Sequence, residues 1–226
     1  MRFDGVLFDM GDIFYDASEW RHWLTQELND RGVSCTYEEL VQRWERLLVD
    51  VYCGRADYWQ RFATLLESFN LAANDRCDVT SSACAKASEV QQHRRLFDGV
   101  RETLSQLDEM GLRLGVLSDT ESPGHRIRAT LDSLEIGCHF AAVISSRDIG
   151  HAKPERAAFE AAILAMGISR EACAFVGHEA EELDGARNSG LYTIAFNAST
   201  DAKADTYLKK FADLTTIVSM STLPAT

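Results

Sequence analysis

Short apolar runs of strand length recur along this chain, and each ends in a polar turn. They cover residues 3–8, 112–117, 141–145, 172–176 and 192–196. None alternates apolar with polar residues. A strand buried on both faces reads this way, whereas a strand with one wet face alternates with period two. Helical patterns fill the gaps. Val100, Leu104 and Leu107 recur at helix spacing over 100–110, a helix over 155–166 follows Pro154, and one over 183–189 runs into Gly190, a residue suited to a helix end. Strands alternating with helices predict βαβ units. The fold class is α/β, with a Rossmann-like doubly wound parallel sheet.

Residues 16–93 break that alternation. They read as helices over 19–29, 37–51, 56–69 and 80–92, and all four tryptophans (Trp20, Trp23, Trp44 and Trp59) fall there. The tryptophans read as apolar packing within or beneath this segment. A helical segment inserted after the first strand is a second, smaller domain. The predicted organisation is a core of 1–15 and 94–226 with an inserted helical cap of 16–93. After residue 202 a helix is predicted, then a short apolar strand over 216–218.

Composition narrows the partners. The 226 residues carry a formal net charge of −12. A nucleic-acid binder needs clustered cations, so this chain is expected to bind no nucleic acid. No apolar stretch approaches the ~20 residues that span a bilayer, so no membrane partner is expected. The six cysteines (Cys35, Cys53, Cys77, Cys84, Cys138 and Cys173) form no CxxC pair and no zinc spacing. They read as reduced thiols, and the expected location is cytoplasmic. Oligomeric state leaves no mark on the sequence.

In a doubly wound sheet the ligand sits beyond the carboxyl ends of the strands. The residues at those ends are Asp9-Met10-Gly11-Asp12, Ser118-Asp119-Thr120, Lys153-Pro154 and Gly177-His178-Glu179, the last followed by Glu181, Glu182 and Asp184. A carboxylate, a hydroxyl, an ammonium and an acidic cluster would converge at one edge. That set suits phosphoryl transfer. A carboxylate attacks phosphorus, the hydroxyl and ammonium hold phosphoryl oxygens, and a divalent cation held by carboxylates offsets charge.

These motifs resemble the haloacid dehalogenase (HAD) superfamily, whose members are mostly phosphatases. The resemblance rests on Val6-Leu7-Phe8-Asp9-Met10, on Ser118, on Lys153-Pro154, and on Phe175-Val176-Gly177-His178 with Glu182 and Gly185-Ala186. The helical insert resembles that superfamily's C1-type cap, with Gly54-Arg55-Ala56-Asp57-Tyr58-Trp59 as its glycine-containing segment. The resemblance implies Asp9 as nucleophile through an aspartyl-phosphate, and Ser118, Asp119, Lys153 and Arg55 as substrate contacts. It implies Mg²⁺ held by Asp9, the Gly11 carbonyl and the fourth motif.

Two departures stand out. The family's second Asp, a general acid and base, is Gly11 here, followed by Asp12. Asp12 reads either as a turn residue or as a displaced general acid. In the fourth motif the first Asp is His178 and the second is Glu182. Glu179 and Glu182 are the candidate oxygen ligands, and His178 suits Mn²⁺ or another divalent metal better than Mg²⁺. His178 also reads as weakened metal binding or as a proton carrier.

Three functions follow. The first is a phosphatase acting on a small phosphorylated metabolite. The second is a dehalogenase-type hydrolase, whose halide leaving group needs no proton. Against it, that branch's Asn after the serine is Asp119, and its Tyr is Phe159. The third is a catalytically impaired binding protein. Cleavage through a lysine imine on the cap is disfavoured, because no Lys precedes Lys86.

Overall fold

The computed structural model describes residues 2–220. Six parallel strands form one sheet in the order β3-β2-β1-β4-β5-β6. They are β1 (Gly5–Phe8), β2 (Arg113–Ser118), β3 (Phe140–Ser145), β4 (Cys173–Gly177), β5 (Tyr192–Ala195) and β6 (Thr206–Tyr207). Among the described residues ten α-helices accompany them: α1 (Glu19–Asp30), α2 (Tyr37–Tyr52), α3 (Tyr58–Ser68), α4 (Ala73–His93), α5 (Val100–Glu109), α6 (Gly124–Ser133), α7 (Ser146–Ile149), α8 (Arg156–Met166), α9 (Ala180–Asn188) and α10 (Leu214–Met220). The expected α/β Rossmann-like sheet is what the chain forms.

Side chains alternate across the sheet. Val6 and Phe8 of β1 join Val116, Leu104, Leu131, Ile194 and Phe211 on one face. Leu7 joins Phe159, Ala162, Phe175 and Leu183 on the other. Both faces of the central strands β1 and β4 are therefore buried, which explains their unbroken apolar runs. A third apolar cluster lies wholly within α1–α4 and includes Leu24, Leu40, Trp44, Phe62, Leu65 and Val79. Helix α2 begins with reciprocal bonds, Glu39 N to Thr36 Oγ1 at 3.2 Å and Thr36 N to Glu39 Oε2 at 3.0 Å.

The sheet order has a consequence for function. Strand β1 lies between β2 and β4, with Phe8 level with both Val116 and Val176. The chain departs in opposite directions on the two sides of β1, and this topological switch leaves a crevice at the strand ends. Asp9, Ser118 and His178 leave the sheet there, and Asp9 N still bonds Val176 O at 3.0 Å.

Three local expectations are corrected. The order after residue 202 is reversed: β6 comes first and residues 216–218 belong to α10. A two-residue strand on the sheet edge is too short to carry a pattern. Helix α4 begins at Ala73 rather than 80, because its first two turns bury only Val79. Helix α6 carries little apolar pattern in the sequence, because it opens on glycine after Pro123 and buries only Ile127 and Leu131. Among the described residues, no helix is long and apolar enough to cross a membrane.

Candidate active site

Lys153 organises the crevice. Its Nζ lies 2.5 Å from Asp9 Oδ1 and 2.6 Å from Glu182 Oε2, and its side chain is only 5% exposed. Lys153 arrives from the turn between α7 and α8, and that turn is pinned by Asp119. Lys153 N donates to Asp119 Oδ1 and Oδ2 at 3.2 and 3.1 Å. Burial disfavours a lysine cation, but the Asp9, Glu182 and Asp119 carboxylates outweigh it and hold the ammonium charged.

Glu182 sits in the first turn of α9 and faces back toward β4. Its Oε1 accepts from His178 N at 2.6 Å and Glu179 N at 3.0 Å, which satisfies donors at the helix start. Gly177 makes this possible, because a Cβ there would stand 2.6 Å from Glu182 Oε1. Gly185 similarly leaves room for Pro154, whose carbonyl would be 2.7 Å from a Cβ. Burial pushes the Glu182 carboxyl up, but Lys153 and His178 pull it well below the ordinary range. Burial pushes Asp9 up, against the pull of Lys153.

The His178 ring divides the site. Nδ1 is 3.4 Å from Glu182 Oε1 and 3.5 Å from Asp9 Oδ2, and it is buried without a hydrogen-bond partner. Nε2 faces Glu179 Oε1 at 3.6 Å and Asp12 Oδ2 at 3.8 Å. Burial opposes the charged ring, but the surrounding carboxylates of Glu182, Asp9 and Glu179 push it up to about 9. Burial also lifts Glu179, and it lifts Asp119 to about 7 against the pull of Lys153.

Asp12 occupies a turn with φ +57, a conformation that Asp tolerates better than most residues. Its Oδ1 accepts from Ala17 N at 2.9 Å, and its carbonyl accepts from Asn197 Nδ2 at 2.9 Å. Gly11 forms a backbone bridge with Tyr15. Ser118 is buried at the end of β2, and its hydroxyl joins no hydrogen bond among the described residues. Arg55 stands apart from this cluster, with Nη2 3.4 Å from the Gly150 carbonyl oxygen.

Asp9, His178 and Glu182 each offer a ligand atom, all within 4.8 Å of one another. Five carboxylates (Asp9, Asp12, Asp119, Glu179 and Glu182) crowd two cationic side chains, so the crevice favours a further cation. The donors decide which one. Glu182 already engages backbone amides and Lys153. The unpartnered donor is a nitrogen, His178 Nδ1, backed at Nε2 by carboxylates, as metal-binding histidines commonly are. These residues fit a nitrogen-tolerant divalent ion better than Mg²⁺.

Some residues near the crevice carry no motif. Arg94 stacks over the Tyr15 ring, 4.1 Å from its centroid, and burial lifts the Tyr15 hydroxyl to about 12. Glu45 and Tyr52 share one face of α2. Burial lifts both, and their surroundings join the helical segment to the strand ends. Glu45 is influenced by Arg21, Glu181 and His178, and Tyr52 by Arg21, Glu121 and Asp119. The only sequence signal was their seven-residue spacing beside the apolar stripe of α2.

Comparison with known proteins agrees with this architecture. The chain is 27% identical to a glyceraldehyde 3-phosphate phosphatase of Methanothermobacter thermautotrophicus, over 96% of each chain. It is 27% identical to a phosphoglycolate phosphatase of Yersinia pseudotuberculosis, over 97% of this chain and 94% of that one. The L-2-haloacid dehalogenase of Xanthobacter autotrophicus shares the fold with a TM-score of 0.68 at 17% identity, over 96% of this chain and 98% of that one. The model of the haloacid dehalogenase-like hydrolases matches residues 3–190. That stretch runs from the first apolar strand through the helix that carries Glu182, and by it the chain belongs to the haloacid dehalogenase-like hydrolase family.

Proposed function

We propose that this hydrolase is a phosphatase, acting on a small phosphorylated metabolite through an aspartyl-phosphate at Asp9. The observation that carries the reading is the buried Asp9–Lys153–Glu182 group beside an unengaged Ser118 hydroxyl. The two full-length relatives named above, both phosphatases, support it.

The residues divide the work. Asp9 attacks phosphorus with the carboxylate oxygen that faces away from Lys153. The P–O bond to the alcohol breaks, and water later releases phosphate and regenerates the carboxylate. Ser118 donates to a phosphoryl oxygen, and Lys153 offsets the charge on Asp9 and its phosphorylated form. With no carboxyl at position 11, Asp12 moves the leaving-group proton while His178 serves the cation site. Asp119 acts through Lys153 by holding its backbone. Asp9, His178 and the Gly11 carbonyl would hold a divalent ion, which would supply neutralisation of phosphoryl charge. Segment 16–93 serves as a cap that covers the crevice and excludes water, over a core of 1–15 and 94–226.

Acid-quenched enzyme from a reaction with labelled phosphate ester should retain phosphate, and Asp9→Asn should retain none and lose at least ~10³-fold in turnover. Turnover insensitive to Asp9→Asn overturns the reading.

One feature favours a second reading, a dehalogenase. The first turn is built without a side chain at Gly11, where a Cβ would stand 3.0 Å from Ala17 Cβ, and a halide needs no general acid. Chloride released from a 2-haloacid, with no phosphate released from any ester, would establish that alternative.

A further inference from the structure

A cleft of about 710 Å³ runs between the segment around Gly54–Gln60 and the loop that follows Ser118. Three arginines line it: Arg55 from the helical segment, Arg126 from α6 and Arg147 from α7. All three are exposed. In a chain of net charge −12, guanidinium groups readily find carboxylates. These do not. Arg55 and Arg147 donate to the backbone carbonyls of Gly150 and Glu121, and the Arg126 guanidinium has no hydrogen-bond or ion-pair partner among the described residues.

The carboxylates that share the cleft are already engaged. Asp57 Oδ1 accepts from Gln60 N at 2.9 Å, and Glu121 accepts from the Thr120 and Ser122 hydroxyls. Trp59, 36% exposed, adds a flat apolar wall. The cleft is close to the reacting groups, because Glu121 lines it and lies three residues after Ser118. Three peptide units span at most about 11 Å, which bounds the separation between Ser118 and this edge of the cleft.

We propose that this cleft takes a second anionic group, a carboxylate or a second phosphate, carried on the leaving-alcohol side of the substrate. Arg126 and Arg147 hold that group from the core, and Arg55 closes on it from the helical segment. Guanidinium suits this task because its planar fork pairs two oxygens at once. The substrate class is then a phosphate monoester with two separated anionic ends. This inference rests on the phosphatase reading for its first anion.

The test compares kcat/KM for phosphoglycolate and fructose 1,6-bisphosphate with that for p-nitrophenyl phosphate, which has no second anion. In Arg126→Glu the ratio should fall about tenfold, and in Arg126→Gln by a smaller factor, mainly through KM. A ratio that stays constant in both variants overturns the proposal. Calorimetry with non-cleavable ligands separates this failure from that of the phosphatase reading. 3-Phosphonopropionate, which keeps the anion spacing of phosphoglycolate, should bind the wild-type chain about tenfold more tightly than ethylphosphonate, and Arg126→Glu should remove the difference. That outcome upholds the anion cleft even if no ester is hydrolysed, whereas equal binding of the two ligands overturns it whatever the turnover.

Discussion

Lys153 and Asp9 are 2.5 Å apart with their side chains 5% and 9% exposed, so each is the main compensation for the other's buried charge. Removing the ammonium strands both Asp9 and Glu182. Lys153→Met should cost about 3–5 kcal/mol of stability, as breaking a buried ion pair does. Lys153→Met with Glu182→Leu should cost less than the sum of the single changes, because the second removes a stranded charge. Urea denaturation of the four proteins checks both statements, and strict additivity would contradict them.

The unpartnered His178 Nδ1 makes metal affinity depend on pH. A proton held up to about pH 9 competes with the ion for that nitrogen. Apparent affinity for Mn²⁺ should therefore rise about tenfold per pH unit between pH 6.5 and 8.5. Mn²⁺ should restore chelator-treated enzyme better than Mg²⁺, and His178→Asp should reverse that preference and flatten the pH slope. Equilibrium dialysis and turnover with each ion measure these effects.

Asp119 predicts a second pH effect. Its carboxyl is lifted from an ordinary 3.8 to about 7 in the folded chain. Its contribution to stability is complete below the unfolded value and is lost as pH rises through the folded one. Asp119→Asn cannot ionise and keeps an acceptor for Lys153 N. Its melting temperature should exceed that of the wild type at pH 8, with the gap closing toward pH 4. A gap independent of pH would assign the shift elsewhere.

Gly11 offers a gain-of-function test. Gly11→Asp alone is opposed by the Ala17 methyl, 3.0 Å from the new Cβ. Gly11→Asp with Ala17→Gly removes that obstacle and supplies a general acid. Turnover of alkyl phosphates, whose leaving groups need a proton, should rise by at least ~10-fold. Turnover of p-nitrophenyl phosphate should change much less.

Residues with chemical roles were most legible where the backbone places them automatically. Asp9, Ser118 and the Gly177–His178 pair end strands, and a parallel sheet brings strand ends together whatever the rest of the chain does. Apolar runs marked five of the six strands, because burial on both faces forces that composition. Glu182 was legible as an acid near a metal, but its bonds to the His178 and Glu179 amides were not. Those bonds depend on how α9 packs against β4. Arg126 and Arg147 were illegible for a related reason. Their cleft joins α6 and α7 to a segment about 70–90 residues earlier in the sequence, and no local pattern encodes that meeting.

Asn197 reaches across 185 residues to bond the Asp12 carbonyl at 2.9 Å. It acts as a clasp on the turn that follows Asp9, and it lies beyond residue 190, where the family match ends. A fragment cut to the matched stretch would keep Asp9, Ser118, Lys153 and Glu182. It would lose β5, β6 and the clasp together, leaving the Asp12 turn fastened from one side only. The far end of the chain is thus a structural part of the first motif, and engineering either end alone disturbs the other.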